Sequence, residues 1–419
     1  MLIEFSVENF KSIRERQTIS MVASNYYKEL LDENTFEVDA EEKFPRLLKS
    51  AVIYGANASG KSSLVEAMAC MDSMVCFSAN EMQADDEVDV TPFRLSKSTK
   101  DADSEFEVSF FEEGVRYQFG FSANSERVTS EWLFAYPSGH QQKWYQREYD
   151  AESDTYKYAW SKLFQGGRRR TDWKLNTRPN ALFISTAVQF NSEQLRPAYN
   201  WFRRRLATLD PSVLTDSFTL KNFDEKKEEV LSFLSHADLA IADIKINRQK
   251  IEPSDIPESV PKMLRDDFIK NMVGKEIATP RFYMESIDGD GMIEFEEEDM
   301  SAGTKALFTF AGPWLDVISN HRILFVDELD SSLHPLIVHQ LIRLLHSKGS
   351  KAQVVFTTHD TTVLAQGILR RDQVWMIEKD RTQSSVLTPL SDYSVREDEA
   401  LEKGYLAGRY GGIPFVKDY

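Results

Sequence analysis

Ala51-Val52-Ile53-Tyr54, followed directly by Gly55-Ala56-Asn57-Ala58-Ser59-Gly60-Lys61-Ser62, decides the fold of this chain. The first four residues read as a buried strand, and from Ser62 onward Leu64, Val65, Ala67, Met68 and Met71 recur at helical spacing. Between them stands the eight-residue phosphate loop, in the strand, glycine turn and helix context that it requires. Gly55 and Gly60 let the backbone aim successive N–H groups inward, and the helix N-terminus adds partial positive charge. Lys61 then reaches the terminal phosphates of a nucleotide and Ser62 ligates magnesium. Asn57, Ser59 and Ser63 are counted with Gly55, Gly60, Lys61 and Ser62 as the residues that hold the nucleotide.

Such a loop needs a metal carboxylate and a base at the end of a second buried strand. Ile323-Leu324-Phe325-Val326-Asp327-Glu328 supplies four apolar residues and then two acids. Asp327 is the expected partner of Ser62 at the metal. Glu328 is the expected base for the attacking water, a role worth about 10²- to 10⁴-fold.

Working outward, Leu2 to Glu8 alternates apolar with polar as a half-buried strand, and Asn9-Phe10-Lys11-Ser12-Ile13 reads as a turn into another. Residues 29 to 45 read as a polar loop. Glu105 to Phe110 and Val115 to Phe119 form an antiparallel pair turning at Glu112-Glu113-Gly114. Ala181 to Ser185 reads as a short strand and Ser192 to Leu206 as a helix. Residues 207 to 280, polar with prolines at 253, 257 and 261, read as an inserted helical subdomain. Tyr283 to Phe295 predicts a hairpin turning at Asp288-Gly289-Asp290-Gly291, and from Ser301 the pattern is helix, strand, helix, strand, helix.

The 419 residues are 42% apolar and 28% charged, enough for two to three domains at about 150 residues each. No apolar run approaches membrane length, and the start lacks a signal peptide's pattern, so the expected compartment is the cytoplasm, with no membrane partner. Cys70 and Cys76 are too few for a disulfide framework and read as small buried apolar residues. The net charge of −17 repels polyanions as a whole, so any anion must be held by local groups.

Four further segments make the chain resemble the ATP-binding-cassette ATPases of the SMC, RecF and OLD type. Ser301-Ala302-Gly303-Thr304-Lys305 looks like their signature motif, and Leu329-Asp330-Ser331-Ser332-Leu333-His334-Pro335 like their D-loop. Thr357-Thr358-His359-Asp360 looks like their switch histidine, and Asn9-Phe10-Lys11-Ser12 like their opening. The resemblance implies a two-lobed α/β head: a mixed sheet with the phosphate-loop helix, an antiparallel β subdomain and a helical insert. Its lobes would be residues 1–206 and 281–419, with the insert at 207–280. It implies ATP and Mg²⁺ as cofactors, His359 as γ-phosphate sensor, and an ATP-dependent homodimer or larger oligomer. In that dimer Ser301 and Gly303 of one subunit meet the nucleotide of the other, beside Asp330. No glutamine is securely placed as a metal-sensing residue; Gln83 is the nearest candidate.

Pro92-Phe93-Arg94-Leu95, Phe183 to Ala187 and the ending Gly404 to Pro414 resemble the stand-alone RloA- and AbiL-type ATPases of bacterial phage-defence operons. That likeness implies a separately encoded effector, a nuclease or Toprim-like protein. The 60 residues after His359 are too few for a fused Toprim domain. Arg168-Arg169-Arg170 and Arg203-Arg204-Arg205 could contact nucleic acid, an acidic partner or only solvent. Glu294 to Asp299 reads as a solvated strand end, His334 as part of the D-loop, and His339 and His346 as exposed helix positions. Two alternatives stay open: a RecF- or SMC-like DNA-binding ATPase of repair, and an ATP-bound scaffold with negligible turnover.

Overall fold

The computed structural model describes residues 1–39, 44–236, 240–252, 273–331, 333–365, 367–393 and 400–413. It divides into two compact units: Met1–Pro211 with Val317–Ser331 and Leu341–Tyr419, and Ser212–Asp316 with Ser332–Gln340.

The first unit holds two sheets. One runs in the order Leu206–Leu209, Ile323–Val326, Gln353–Thr357, Ser50–Tyr54, Val374–Lys379, Ser385–Pro389. Its first five strands are parallel and the last is antiparallel. The three middle strands are buried along their whole length, as parallel strands covered on both faces must be. Thr357 lies opposite Ile53, and Val326 opposite Phe356. The phosphate loop, Asp327 and His359 therefore all leave the sheet at one edge, the carboxyl end of adjacent strands, where ligands of such sheets bind.

The second sheet has seven antiparallel strands: Thr155–Trp160, Gln142–Asp150, Val128–Tyr136, Val115–Ala123, Ser104–Glu112, Leu2–Glu8 and Gln17–Ser20. Its hairpin turns at Glu113 and Gly114, whose φ of 49° and 75° match the twist of the flanking strands. Phe106, Val108 and Phe110 are buried and share one apolar core with Ile53, Leu64, Met68 and Phe325. The helix Lys61–Phe77 contributes to that core from just behind the phosphate loop.

Three expectations need correction. Ala181 to Ser185 is not a strand; it leads into the helix Phe183–Gln189. The buried Glu131 carboxylate accepts the N–H groups of Phe183 (2.6 Å) and Ile184 (2.9 Å), and Arg147, equally buried, lies 3.6 Å from it and donates to Ala181 O. A carboxylate capping free N–H groups stabilises a helix start that propensity alone does not mark. The helix expected over Ser192 to Leu206 is shorter: Arg196–Asn200 continues as a wider turn through Trp201–Arg205, and Leu206 is already strand, paired with Ile323. Within 29 to 45, Leu31–Asn34 is a short helix and Thr35–Phe36 pairs with Leu47–Leu48.

The second unit also departs from an all-helical insert. Ser217–Ser235 is helical, but Asp243–Lys250 is a strand, joined to Glu276–Glu285 and Met292–Phe295 in an antiparallel sheet. The alternation of Ile244 and Ile246 with polar neighbours suits a strand, not a helix. The expected hairpin turn is present, with φ of 77° at Gly289 and 113° at Gly291. The unit begins at Ser212 and takes in the hairpin and the helix beginning at Ala302 as well as the expected insert. Phe308 of that helix packs between Phe223 and Phe282. Gly312 admits the helix Ser217–Ser235, since a Cβ there would stand 2.6 Å from Thr219 Oγ1. The three prolines at 253, 257 and 261, together with Ser332 and Pro414, lie outside the described residues.

Candidate nucleotide site

The phosphate loop is shaped by three residues for different reasons. Gly60 has φ of 107°, and a side chain there would run into Ser385 and Ser12. Gly55 has no such conformation; it is glycine because its missing Cβ leaves room for Ile377 O and for Ser59 Oγ, which would be 2.5 Å away. Ala58 is exposed at the loop tip with φ of 61°, a left-handed conformation costing about 1–2 kcal/mol outside glycine.

Asn57 is exposed beside Ala58, and Ser62 is exposed in the first helical turn. Ser59 Oγ is buried without a hydrogen-bond partner, an orphan hydroxyl inside a cradle that a Cβ on Gly55 would fill. A phosphate oxygen fits that donor. Lys61 Nζ donates to Gly55 O (2.8 Å) and Ala56 O (3.3 Å). Burial lowers its pKa, opposed by the carboxylates of Glu328, Asp327 and Asp330 nearby. Ser63 is buried and accepts from Ser12 Oγ at 2.8 Å, which ties the Asn9–Ser12 turn to the loop helix.

The acidic side is organised by Thr357, a residue to which no motif assigns a task. Thr357 is fully buried at the end of its strand; its hydroxyl donates to Asp327 Oδ1 and accepts the N–H of Glu328, both at 2.7 Å. One hydroxyl thus orients the expected metal ligand and the backbone of the expected base. The available signal was a hydroxyl closing an otherwise apolar strand end. Glu328 has φ of 53°, a strained turn of the kind that collects at functional sites. His359 Nε2 stands 3.8 Å from Glu328 Oε1, and its backbone N–H donates to Asp330 Oδ2 at 3.2 Å.

Lys61, Asp327, Glu328, Asp330 and His359 therefore gather at one sheet edge of the first unit. Ser301 and Gly303 belong to the second unit, where Ser301 Oγ accepts the Thr304 N–H (3.1 Å) at the start of the helix and would stand 3.9 Å from a Cβ placed on Gly303. Gln83 is exposed, its N–H held by Asp86. Arg168 and Arg169 are exposed, as are Arg203 and Arg204, whereas Arg205 pairs with Glu112 at 3.4 Å. In the acidic stretch, Glu294 accepts from Tyr283 and Glu296 pairs with Arg281.

The histidine expectation needs correction: His339 and His346 are buried. His346 Nε2 lies 2.9 Å from Ser50 Oγ, and burial with the nearby Lys49 pushes its pKa down to about 3. Histidine's polarity predicts exposure on the helix Pro335–Leu345 and just past it, but both side chains are covered by the fold. Cys76 is buried as expected, and Cys70 is half-buried; both are free thiols.

The family model described as "AAA domain, putative AbiEii toxin, Type IV TA system" matches residues 50–365. No curated protein matches the chain. Among solved structures, the SMC head domain from Thermotoga maritima is similar at 14% identity and a TM-score of 0.42, covering 93% of this chain and 98% of that one. The SmcHead bound to the C-winged helix domain of ScpA is similar at 13% identity and a TM-score of 0.40, covering 96% and 99%. Among the described residues, no helix is long and apolar enough to cross a membrane.

Proposed function

We propose, from the premise that this chain belongs to the AAA_21 family whose model spans residues 50–365, that it is an ABC-type ATPase which dimerises on ATP and hydrolyses it to control a separate effector. The observation that carries this is the gathering of Lys61, Asp327, Glu328 and His359 at the carboxyl edge of adjacent parallel strands.

Lys61 and the loop N–H groups would neutralise the terminal phosphates, and the unpartnered Ser59 hydroxyl would donate to one of their oxygens. Ser62 and Asp327 would hold magnesium, which when bound offsets charge between the outer phosphates. Glu328 would take the proton of the attacking water, and His359, 3.8 Å from its carboxylate, would hold it in line and register the γ-phosphate. Thr357 would hold the Asp327 carboxylate and the Glu328 backbone for these roles. The signature Ser301 and Gly303 would act in trans on the nucleotide of a second copy, beside Asp330.

The resemblance of Pro92 to Leu95, Phe183 to Ala187 and the Gly404 to Pro414 ending to phage-defence ATPases is the ground for a cytoplasmic role in bacterial anti-phage defence, with a nuclease or Toprim-like protein as effector. The exposed Arg203 and Arg204 favour, as a second reading, a DNA-binding ATPase of repair, which strong salt-dependent duplex binding would support.

Glu328→Gln keeps size and hydrogen bonding but removes the base, so ATP binding should persist while hydrolysis slows about 10²-fold or more and a dimer accumulates. Lys61→Ala should lose nucleotide affinity instead. Phosphate release, binding of a fluorescent ATP analogue and light scattering read the two apart. Wild-type turnover by Glu328→Gln would remove Glu328 from the mechanism, and an ATP-bound wild type without turnover would favour the scaffold.

A further inference from the structure

The segment Gly404-Tyr405-Leu406-Ala407-Gly408-Arg409-Tyr410-Gly411-Gly412-Ile413 reads in sequence as a glycine-rich terminal turn. In the fold it lies against the phosphate loop. Gly408, Gly411 and Gly412 have φ of 74°, 69° and 72°, conformations that only glycine adopts readily, and they turn the chain back after the helix Leu401–Leu406. Gly404 leaves room for the buried Tyr410 ring. At Gly412 the Cβ position is 3.6 Å from Gly55 Cα and 3.6 Å from Tyr54 O, so the turn touches the first residue of the loop.

Two side chains hold it there. Glu378 Oε2 accepts the Gly412 N–H at 3.3 Å, and the Tyr405 hydroxyl donates to Gly412 O at 3.1 Å. The Tyr405 ring lies 5.5 Å from that of Tyr54. Glu378 follows Ile377, whose carbonyl covers the other side of Gly55. The helix Leu401–Leu406 that opens into this segment reaches the chain beyond the strand Gln353–Thr357, because Thr361, two residues past His359, donates through Oγ1 to Glu402 Oε1 at 3.0 Å. Tyr54 OH in turn donates to Asp360 O at 2.9 Å. The helix Leu401–Leu406 and the turn after it are therefore tied together to the entry of the phosphate loop and to the residues that follow His359.

We propose that Glu378 and Tyr405 are positioning residues for the phosphate loop, which press the Gly411–Gly412 turn onto Gly55 and so set the loop's entry for nucleotide. This rests on reading Gly55 to Ser62 as a nucleotide loop. Coupling of this kind is reciprocal: if the docked segment raises nucleotide affinity, bound nucleotide must tighten the docking by the same factor.

The test uses the full chain with magnesium and a fluorescent ATP analogue. Glu378→Ala and Tyr405→Phe each remove one hydrogen bond and should weaken binding about fivefold. Glu378→Gln retains an acceptor oxygen and should bind within about twofold of wild type. Hydrogen exchange at the amides of residues 404–413 should slow when ATP is added to wild type, and should not change in Lys61→Ala. A lowered melting temperature with unchanged affinity and no ATP-dependent protection would mark the segment as structural only and overturn the inference. Failure of the wild type itself to bind would overturn the nucleotide reading, and this inference with it.

Discussion

Thr357→Val isolates the hydroxyl that joins the two acids of the site. Valine keeps the shape of threonine in a fully buried position, so packing is nearly conserved while both 2.7 Å contacts vanish. The bond to Asp327 is made to a carboxylate and is worth about 1.5–3 kcal/mol. The Glu328 N–H loses its acceptor, at a further cost of about 1 kcal/mol, the low end because the partly exposed Glu328 turn admits water. Stability should fall by about 3 kcal/mol, read by chemical denaturation. The larger effect is kinetic: an Asp327 carboxylate and a Glu328 backbone free to move by about 1 Å should lower turnover about 10²-fold. Nucleotide affinity, which the proposed function assigns mostly to Lys61 and the loop N–H groups, should move by less than about tenfold. Thr357→Ser, which keeps the hydroxyl, should recover most of both losses. Wild-type turnover and stability in Thr357→Val would refute the reasoning outright, since the acids would then be held by something other than this hydroxyl.

Ser301→Arg should leave monomeric nucleotide binding intact and abolish turnover, and mixing it with Lys61→Ala should restore part of the activity through a heterodimer with one complete composite site. No recovery despite demonstrated heterodimers would count against a site shared between copies. Burial pushes Asp72, on the phosphate-loop helix, up from 3.8 to about 7. The folded state then binds more protons between those values, so this contribution to stability falls as pH rises through the window. Asp72→Asn should stabilise at pH 8, by at most about 4 kcal/mol, and bring no gain near pH 4. His346 runs the other way: with its pKa lowered to about 3, the unfolded state binds more protons below pH 6.5, and stability is lost as pH falls. His346→Gln should flatten that acid limb in a denaturation series, and an unchanged limb would place the sensitivity elsewhere.

The sequence by itself marked the residues proposed for the site and most of the elements that carry them. The phosphate loop, the strand ending in Asp327-Glu328 and the hairpins at Glu113-Gly114 and Gly289 to Gly291 are legible because each is encoded within a few residues: by apolar period, by glycine at a left-handed φ, by an acid closing a buried strand. Only the tertiary structure decided how those pieces are held. Phe183 begins a helix because Glu131, 52 residues earlier, presents a carboxylate to its N–H group. Leu206 extends because Ile323 lies beside it. Thr357 acquires its task from Asp327, 30 residues away, and Gly412 from Gly55, at the far end of the chain. Period and propensity describe a residue's immediate neighbours. Burial, pairing and the satisfaction of a buried donor depend on which distant groups the sheet order brings alongside, and no local pattern contains that order.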